Sequence, residues 1–442
     1  MTESAAHNLA VPALEPIYRR NFVYFLLDGI LFTVAMSLIG STTVIPDFIR
    51  HLTDSRILIG LSGSLFTIGF TLPQLWIARH IVRFAHKKWW FVGPNIPVRF
   101  VIFFFALIIV WVGDKRPTLL LWAFFIAYGI AAFGDGLVGV PWADLSATSL
   151  DNRWRARMFG LTTVITGLLM LVLAPLISVI LGPKGLAFPN NYALLFGAAG
   201  VIFVISILPG LFFHELPGGK VAEKSPDLSE FLPELGRVVR NDGPFRAFIS
   251  VRMLTTLFMM AAPFYVVYAT EQLGLASGVA VPVLLAMQTI GSLVGALVYT
   301  WMGERNNVLY IRLALASAVL LPVCALISAP EGTLFGAWPL YFGFLVSGLA
   351  NGSNLFNCFM NWVVIYAHPD QRPIYVGLAN TISALMALIS PFLGGVIAQE
   401  LGYRTLFVCS LLLALIALLV SLRSLRDQRA EEVPVMAVTV GQ

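Results

Sequence analysis

The feature that most limits the possible folds is a series of twelve apolar runs, each about 20 residues long or longer. Hydrophobic residues make up 58% of the 442-residue chain and charged residues only 12%, about half the charged share of an ordinary soluble domain. Because an α-helix needs ~20 apolar residues to cross a bilayer, the runs predict membrane-spanning helices. The predicted spans cover residues 22–45, 57–78, 90–113, 119–145, 158–181, 192–213, 246–270, 277–301, 308–329, 338–366, 374–399 and 404–422.

The runs fall into two groups of six, separated by a long polar stretch. We predict an amphipathic helix within that stretch, because residues 227–239 combine a polar start with apolar residues at helical spacing. Such a helix would either tether the two halves or regulate them. The predicted segments are an N-terminal tail at 1–18, a first six-helix half at 19–213, a linker at 214–245, a second six-helix half at 246–424 and a C-terminal tail at 425–442.

An internal repeat relates the two groups of runs. Gly-Leu starts an apolar run at 160–161 and again at 377–378. Tyr-x-x-Leu-Phe then follows at 192–196 in the first half and at 403–407 in the second, at nearly the same offset. A motif that returns in the same order at the same spacing indicates two related halves.

The basic residues predict how the chain crosses the membrane. Most of the 28 Lys and Arg residues fall in the tails and in the loops on the same side as the N-terminus. Cytoplasmic loops carry the excess of Lys and Arg in membrane proteins. We therefore expect a multi-pass protein of the plasma membrane with both termini in the cytoplasm.

Four charged residues lie well inside predicted spans: Asp28, Arg99, Asp135 and Arg252. A charge inside a span is costly, by at least about 2.5 kcal/mol at the bilayer centre, so it requires a partner or water. The four could form a structural ion-pair network, or they could bind protons or substrate. Asp135 lies deepest in its span, roughly 15 Å from the end, and we expect it to carry the proton, with Asp28 as a fixed, paired charge.

Helical geometry groups further polar side chains. At 100° per residue, Tyr128, Asp135 and Trp142 share one stripe of the fourth span. Amides on one face of a span either bond to neighbouring helices or face a polar cavity. Gln288, in the eighth span, and Asn380, in the eleventh, are weaker candidates for such a cavity. The amides on one arc of the tenth span are Asn351, Asn354, Asn357 and Asn361.

Two groups of six spans joined by a central loop resemble the major facilitator superfamily. The loop between spans 2 and 3 of that family usually reads Gly-x-Leu-Ala-Asp-Arg-x-Gly-Arg-Lys, and residues 78–87 keep its Arg83 and Lys87. The equivalent loop of the second half keeps an acid–base pair at 304–305, and the loop after span 4 keeps the Arg-x-Arg-x-Arg pattern at 153–157. The resemblance implies an all-α membrane protein with twelve transmembrane helices in two pseudo-symmetric six-helix bundles.

The resemblance also assigns places to the candidate residues, because spans 1, 4, 7 and 10 of that family line a central cavity. It implies a substrate or proton cavity supported by the charge of Arg99, and a cytoplasmic gate. The cavity residues are Asp28, Tyr128, Asp135, Trp142, Arg252, Asn351, Asn354, Asn357 and Asn361. The gate residues are Arg83, Asp144, Arg153, Arg155, Arg157, Glu304 and Arg305.

Missing motifs exclude several other functions. The sequence has no Gly-x-x-x-x-Gly-Lys-Ser/Thr loop, so it predicts no ATP hydrolysis. The six histidines fall in tails and loops, so we expect no metal site within the membrane. The net charge of +5 arises from short loops between apolar runs, which argues against a nucleic-acid partner.

The sequence therefore predicts a secondary active transporter that moves a small solute by alternating access. We expect coupling to protons, with export slightly favoured by the many aromatic residues. The expected partners are the small-molecule substrate, protons and the lipid bilayer, for a monomer that needs no cofactor. Two alternatives are a non-transporting receptor or scaffold with a transporter fold and a membrane-embedded lipid enzyme, although we expect no enzymatic activity.

Overall fold

The computed structural model describes residues 3–81, 84, 86–216, 240–302, 306–330, 332, 333, 335–350, 352–367 and 372–425. Every regular element among these residues is helical. The chain divides into two compact units, the first formed by residues 1–225 together with 276–282 and the second by 226–275 together with 283–442. The division after residue 225 falls inside the predicted linker, whose proposed amphipathic helix at 227–239 lies outside the described residues.

Unit 1 contains eight helices of the first half of the chain. They are α1 (Glu3–Ile39), α2 (Val44–Arg50), α3 (Arg56–Ile81), α4 (Lys88–Val112), α5 (Pro117–Ser149), α6 (Asn152–Leu181), α7 (Asn190–Ile205) and α8 (Ile207–Phe212). The sixth predicted span is divided between α7 and α8, which meet at Ser206.

Unit 2 is built from the helices of the second half, although the first turn of α11 belongs to unit 1. Short 3-10 helices at Met259–Ala261 and Gly348–Ala350 interrupt two of the predicted spans. The helices are α9 (Gly243–Phe258), α10 (Phe264–Glu271), α11 (Ser277–Met302), α12 (Asn307–Ile327), α13 (Trp338–Ser347), α14 (Gly352–Tyr366) and α15 (Arg372–Ser424).

The helices confirm the predicted fold class. Among the described residues, ten helical segments are long and apolar enough to cross a membrane, and Trp338–Ala350 is a shorter apolar helix. The segment α15 contains both of the last two predicted spans and is broken at Gly402, whose φ of 83° lies in the left-handed region that glycine adopts without strain. Two helical stretches therefore meet between residues 399 and 404, where the sequence analysis separated the two spans.

The start of the chain is helical, since α1 already begins at Glu3. The cytoplasmic tail at 1–18 stays a prediction. Alanines such as Ala5, Ala6 and Ala10 favour a helix, and extending an existing helix by one residue is easier than starting a new one.

Large apolar side chains cover the outer surface of the helices. Trp111, Val172 and Trp338 are each at least 74% exposed. Exposed apolar side chains along long helices are expected where the surrounding solvent is lipid rather than water. Aromatic residues also fill the interior of each unit, for example around the buried Phe48 in unit 1 and in the stacked Phe248–Trp362 pair in unit 2.

Candidate functional site

A cluster of buried charges lies inside unit 1. Asp28 on α1, Arg99 on α4 and Asp135 on α5 are each at most 5% exposed. Three of the four charges predicted to lie within spans are therefore in one unit. Since ionised groups are rarely buried without a partner, their contacts decide what the cluster can do.

The two glycines beside Asp135 allow α5 to approach its neighbours closely. A Cβ atom at Gly136 would lie 2.3 Å from the carbonyl oxygen of Phe70 on α3, and one at Gly134 would lie 2.1 Å from a methyl group of Val98 on α4. Small residues permit such contacts between membrane helices. The contact between Gly134 and Val98 places Asp135 next to α4, close to Arg99.

Asp135 forms an ion pair with Arg99. The guanidinium Nη1 atom lies 3.2 Å from the carboxylate Oδ1 atom. The guanidinium carbon also lies 4.7 Å from the ring centre of Phe32 and 4.9 Å from that of Phe203. Cation–π contacts of this kind stabilise a desolvated cation, so Arg99 is held by an acid and two aromatic rings.

Asp28 has a different environment from Asp135. The indole Nε1–H of Trp142 donates to its Oδ2 atom at 2.9 Å, while its buried Oδ1 atom has no hydrogen-bond partner among the described residues. Asp28 also interacts electrostatically with Arg99 and Asp135. The ion pair described in this cluster joins Arg99 to Asp135, and the role of Asp28 as a fixed, paired charge stays a prediction.

The cluster thus holds two carboxylates for one guanidinium. Ionising both acids would leave one buried negative charge in excess, an expensive arrangement away from water. One bound proton would remove the excess. The arrangement is chemically suited to taking up and releasing a single proton that the two acids share.

Three further buried polar side chains lie on the helices of unit 1, and two of them, Asn95 and Thr166, were not predicted as site residues. Asn95 lies one helical turn before Arg99, and its Oδ1 atom has no partner among the described residues; the same holds for the hydroxyl of Thr166 on α6. Tyr128, predicted for the cavity, stacks on Phe124 at 5.3 Å, and its buried hydroxyl likewise has no partner within the described part of the chain. Asn95 and Thr166 could have been found as uncharged polar residues inside predicted spans.

Unit 2 holds the fourth predicted charge. Arg252 on α9 is 5% exposed, donates to the amide oxygen of Asn380 on α15 at 2.9 Å, and lies 5.9 Å from the ring centre of Phe359. Of the predicted asparagine face, Asn361 is partly buried on α14. Asn354 and Asn357 lie on the same helix, whereas Asn351 falls outside the described residues.

The predicted gate residues have separate contacts. Asp144 pairs with Lys87 at 2.6 Å, and Arg155 donates to the carbonyl of Ala147 at 3.4 Å. Arg157 lies over the ring of Trp154, and Arg153 is exposed. The remaining predicted gate residues, Arg83, Glu304 and Arg305, lie outside the described residues.

Asn21 and Glu215, which the sequence analysis did not predict, connect distant segments of unit 1. The amide of Asn21 donates to the carbonyls of Ser149 and His214, at 3.1 and 2.8 Å, and its oxygen accepts from the backbone N–H of His214. The carboxylate of Glu215 accepts the backbone N–H groups of Lys87 and Lys88 at the start of α4. A carboxylate at a helix N-terminus is favourable. Both contacts join positions more than 125 residues apart.

The described residues contain no group of three or more His, Cys, Asp or Glu side chains that could hold a metal ion. Cys324 and Cys358 in unit 2 are free cysteines, and both are buried. The chemistry available at the site is therefore that of carboxylates, a guanidinium and an indole.

Comparisons with solved structures agree with the fold. A mutant form of the nucleoside transporter NupG superposes with a TM-score of 0.66 at 14% identity, covering 91% of this chain and 100% of that one. A bacterial homolog of the human lysosomal transporter Spinster, inward-facing and unoccupied, gives 0.63 at 13% identity, covering 93% and 99%. At such low identity, these likenesses show a shared fold.

Sequence comparisons give one family. No curated protein matched the sequence significantly. The family model described as Major Facilitator Superfamily matches residues 27–391, which include Asp28, Arg99, Asp135 and Arg252. Because this match covers most of the chain, the protein belongs to the Major Facilitator Superfamily and is a membrane transporter.

Proposed function

We propose that this protein is a secondary active transporter in which a proton, bound by Asp28 and Asp135, drives the movement of a small solute by alternating access. The observation that carries the proposal is that, among the described residues, the buried cluster of unit 1 holds two carboxylates and one guanidinium. Substrate movement can be coupled to a proton gradient only if the affinity for the proton changes between the two faces of the membrane.

Arg99 supplies a way to change that affinity. A carboxylate beside a guanidinium favours its charged form, and a carboxylate buried without one favours its neutral form. A small shift of α1 or α5 against α4 would transfer the guanidinium from Asp135 towards Asp28, or the reverse. The position of the Arg99 guanidinium would then determine which carboxylate keeps the proton.

The two acids are not equivalent in this proposal. The Oδ1 atom of each is buried without a hydrogen-bond partner among the described residues. Asp135, however, has Arg99 at 3.2 Å, whereas Asp28 has the indole donor of Trp142. We therefore propose Asp28 as the acid that holds the proton in the present arrangement. Asp135, favoured from the sequence, would bind the proton when Arg99 leaves it.

The polar groups proposed to bind the substrate include Arg252, Asn380 and Asn361. Nucleosides belong in a first ligand screen, because one structural neighbour is a nucleoside transporter. The screen would record which compounds raise the unfolding temperature of the purified protein, since a ligand that binds only the folded state stabilises it.

The test is accumulation of the best screened compound in vesicles with an imposed pH gradient. Asp28→Asn and Asp135→Asn should each abolish gradient-driven accumulation, while exchange of the compound without a gradient persists. Asp54→Asn is the matched control, because Asp54 is an exposed acid in the loop before α3. Full accumulation in both buried-acid variants would refute proton coupling at this site. The same vesicles report direction, which we propose to be export.

We propose in addition that both termini and residues 214–245 lie in the cytoplasm. A membrane-impermeant thiol reagent applied to intact cells should label Lys184→Cys and fail to label Lys220→Cys. Labelling in the opposite pattern would reverse the orientation.

The cytoplasmic gate also stays a proposal, and it depends on charged side chains. Arg153 and Glu304 are proposed to hold the cytoplasmic side closed by charge contacts with helix ends. Arg153→Ala and Glu304→Ala should then raise the accessibility of the cavity from the cytoplasm without preventing folding. Unchanged accessibility in both variants would remove these residues from the gate.

A further inference from the structure

An open groove in unit 2 lies where two neighbouring helices end. The start of α9, from Gly243, forms one side of the groove, and the last turn of α15, up to Ser424, forms the other. The groove has a volume of about 540 Å³, which is within the range of sites for small ligands. Because Gly243 begins one candidate membrane span and Ser424 ends another, the groove lies at a membrane surface.

The groove carries positive charge. Arg246 on α9 and Arg423 on α15 both line it and are both exposed, and Ser424 lies beside them. None of the described residues that line the groove is acidic. The carboxylate of Asp242, which precedes the groove, is buried and accepts from a backbone N–H group and two tyrosine hydroxyls. Two guanidinium groups facing one groove favour an anion with several oxygen atoms, such as a phosphate.

The usual role of a basic residue at the end of a helix is taken here by another side chain. A cation in the last turn commonly binds the unpaired carbonyl groups of that turn. In α15, the carbonyls of Ser421 and Leu425 accept from Nη2 of Arg312 on α12, at 3.2 and 2.8 Å. No hydrogen bond or ion pair of Arg423 is described within residues 372–425 or the other described ranges, so its guanidinium is available to a ligand.

The corresponding place in unit 1 shows which part of this arrangement is structural. There Lys88, at the start of α4, donates to the carbonyls of Leu211 and Phe213 at the end of α8, at 2.7 and 2.9 Å. Since α4 and α12 each carry the third predicted span of their half, the contact of Arg312 repeats that of Lys88. The sequence at the end of α8 has no Lys or Arg equivalent to Arg423. Arg423 is therefore an addition to the repeated helix-end contact.

An exposed apolar stripe leads along α15 to the groove. Leu412, Ile416 and Leu419 are each at least 46% exposed. They precede Arg423 at intervals of four, three and four residues, so all four side chains lie on one face of the helix. An anion bound by Arg423 would thus have apolar surface next to it on the membrane side.

We propose that the groove binds an anionic phospholipid, whose phosphate contacts Arg246 and Arg423 and whose acyl chains lie along Leu412, Ile416 and Leu419. Basic residues at a membrane surface attract anionic lipids, and lipid phosphates lie at the depth where apolar spans end. A lipid fits both the charged groove and the apolar stripe, whereas a free phosphate would leave the stripe unused. The proposal is independent of the proposed proton site in unit 1.

The test measures lipid binding to the purified full-length protein in detergent by native mass spectrometry. Phosphatidylglycerol should bind more tightly than phosphatidylcholine, whose headgroup has no net charge. Arg423→Gln should raise the Kd for phosphatidylglycerol about fivefold and Arg246→Gln/Arg423→Gln about 25-fold, because each arginine contributes separately to the attraction of an anionic lipid. The Kd for phosphatidylcholine should stay the same in these variants.

Arg20→Gln is the matched control, because Arg20 is an exposed arginine just before the first predicted span of unit 1. It should leave both dissociation constants unchanged. An equal loss of phosphatidylglycerol binding in Arg20→Gln would indicate general attraction to basic residues and would overturn the groove as a site. Arg423→Gln alone keeps the test decisive if the double variant does not fold, since Arg246 also donates to the carbonyl of Arg240 at 3.0 Å.

Inorganic phosphate distinguishes a lipid from a free anion as the occupant. At millimolar concentration, phosphate should displace no more phosphatidylglycerol than sodium chloride of the same ionic strength does, because ionic strength alone weakens exposed charge contacts. Displacement well beyond the chloride control would show that the groove prefers a free anion and would overturn the lipid proposal. Wild-type binding of phosphatidylglycerol in Arg423→Gln, or equal affinity of the wild type for the two lipids, would overturn it as well.

Discussion

Both units bury an arginine inside a membrane-spanning helix, yet they give it different partners. In unit 1, Arg99 faces the carboxylate of Asp135 at 3.2 Å. In unit 2, Arg252 donates to the amide of Asn380 at 2.9 Å. A carboxylate changes its charge when it binds a proton, whereas an amide does not titrate. In the proposed function, the ion pair of Arg99 with Asp135 can therefore respond to a bound proton, whereas the described hydrogen bond between Arg252 and Asn380 cannot.

The buried acid of unit 2 supports the same contrast. Asp242 caps the start of α9 and accepts from the backbone N–H of Phe245, and it also accepts from the hydroxyls of Tyr366 and Tyr375. The three donors join Asp242 to α9, α14 and α15. Asp28 in unit 1 has one described donor. In the proposed function, the exchangeable proton therefore belongs to the Asp28–Asp135 pair of unit 1, and Asp242 serves to join helices of unit 2.

The largest expected difference follows from removing each arginine. Arg99→Met should lower the free energy of unfolding by about 3–5 kcal/mol, because it strands Asp135 as a buried unpaired acid. Arg252→Met should lower it by about 1–3 kcal/mol, because a neutral amide loses its donor. Denaturant unfolding of the purified protein in detergent measures both. Equal losses of stability in the two variants would contradict the difference between the units. The double variant Arg99→Met/Asp135→Leu should recover much of the stability that Arg99→Met loses.

A smaller effect is expected at the fixed acid of unit 2. Asp242→Ala removes a helix cap and leaves two tyrosine hydroxyls without their acceptor, which should cost about 2–3 kcal/mol. Asp54→Ala is the control at an exposed acid and should change stability by less than about 0.5 kcal/mol. A loss at Asp242 no greater than the loss at Asp54 would show that the carboxylate does not hold these helices together.

The smallest expected effect concerns the glycines that place Asp135. Gly136→Ala should destabilise the protein by about 1–2 kcal/mol, because the added methyl group meets the carbonyl of Phe70. Gly129→Ala on the same helix has no neighbour within 4 Å and should stabilise it by up to about 1 kcal/mol. A thermal unfolding assay should show a lower unfolding temperature for Gly136→Ala and a higher one for Gly129→Ala. An unchanged unfolding temperature in Gly136→Ala would contradict the close approach of α5 to α3.

The fold was predictable because lipid imposes a simple rule on the sequence. Each span needs a long apolar run, and such runs are visible without knowing any contact. Even the break at Gly402 lies where the sequence places a short polar interval between two runs. Depth along a helix was likewise predictable, which is why Asp28, Arg99 and Asp135 were identified as buried charges.

The pairing within the cluster was not predictable from the sequence. Which acid meets Arg99 depends on how α5 is rotated and how closely it approaches α4, and that is set by the contacts of Gly134 and Gly136. The partner of the buried Asp47 was also missed, because Tyr192 lies 145 residues away along the chain. Periodicity within one helix carries no information about such distant contacts.

The most direct test of the central claim is an infrared difference spectrum of the purified protein between mildly alkaline and mildly acidic pH. Wild-type protein and Asp54→Asn should both show the carbonyl band of a protonated buried carboxyl group. Asp28→Asn should lose that band, and Asp135→Asn should shift the pH at which it develops. Spectra that are unchanged in Asp28→Asn and Asp135→Asn would contradict the claim that these acids share an exchangeable proton.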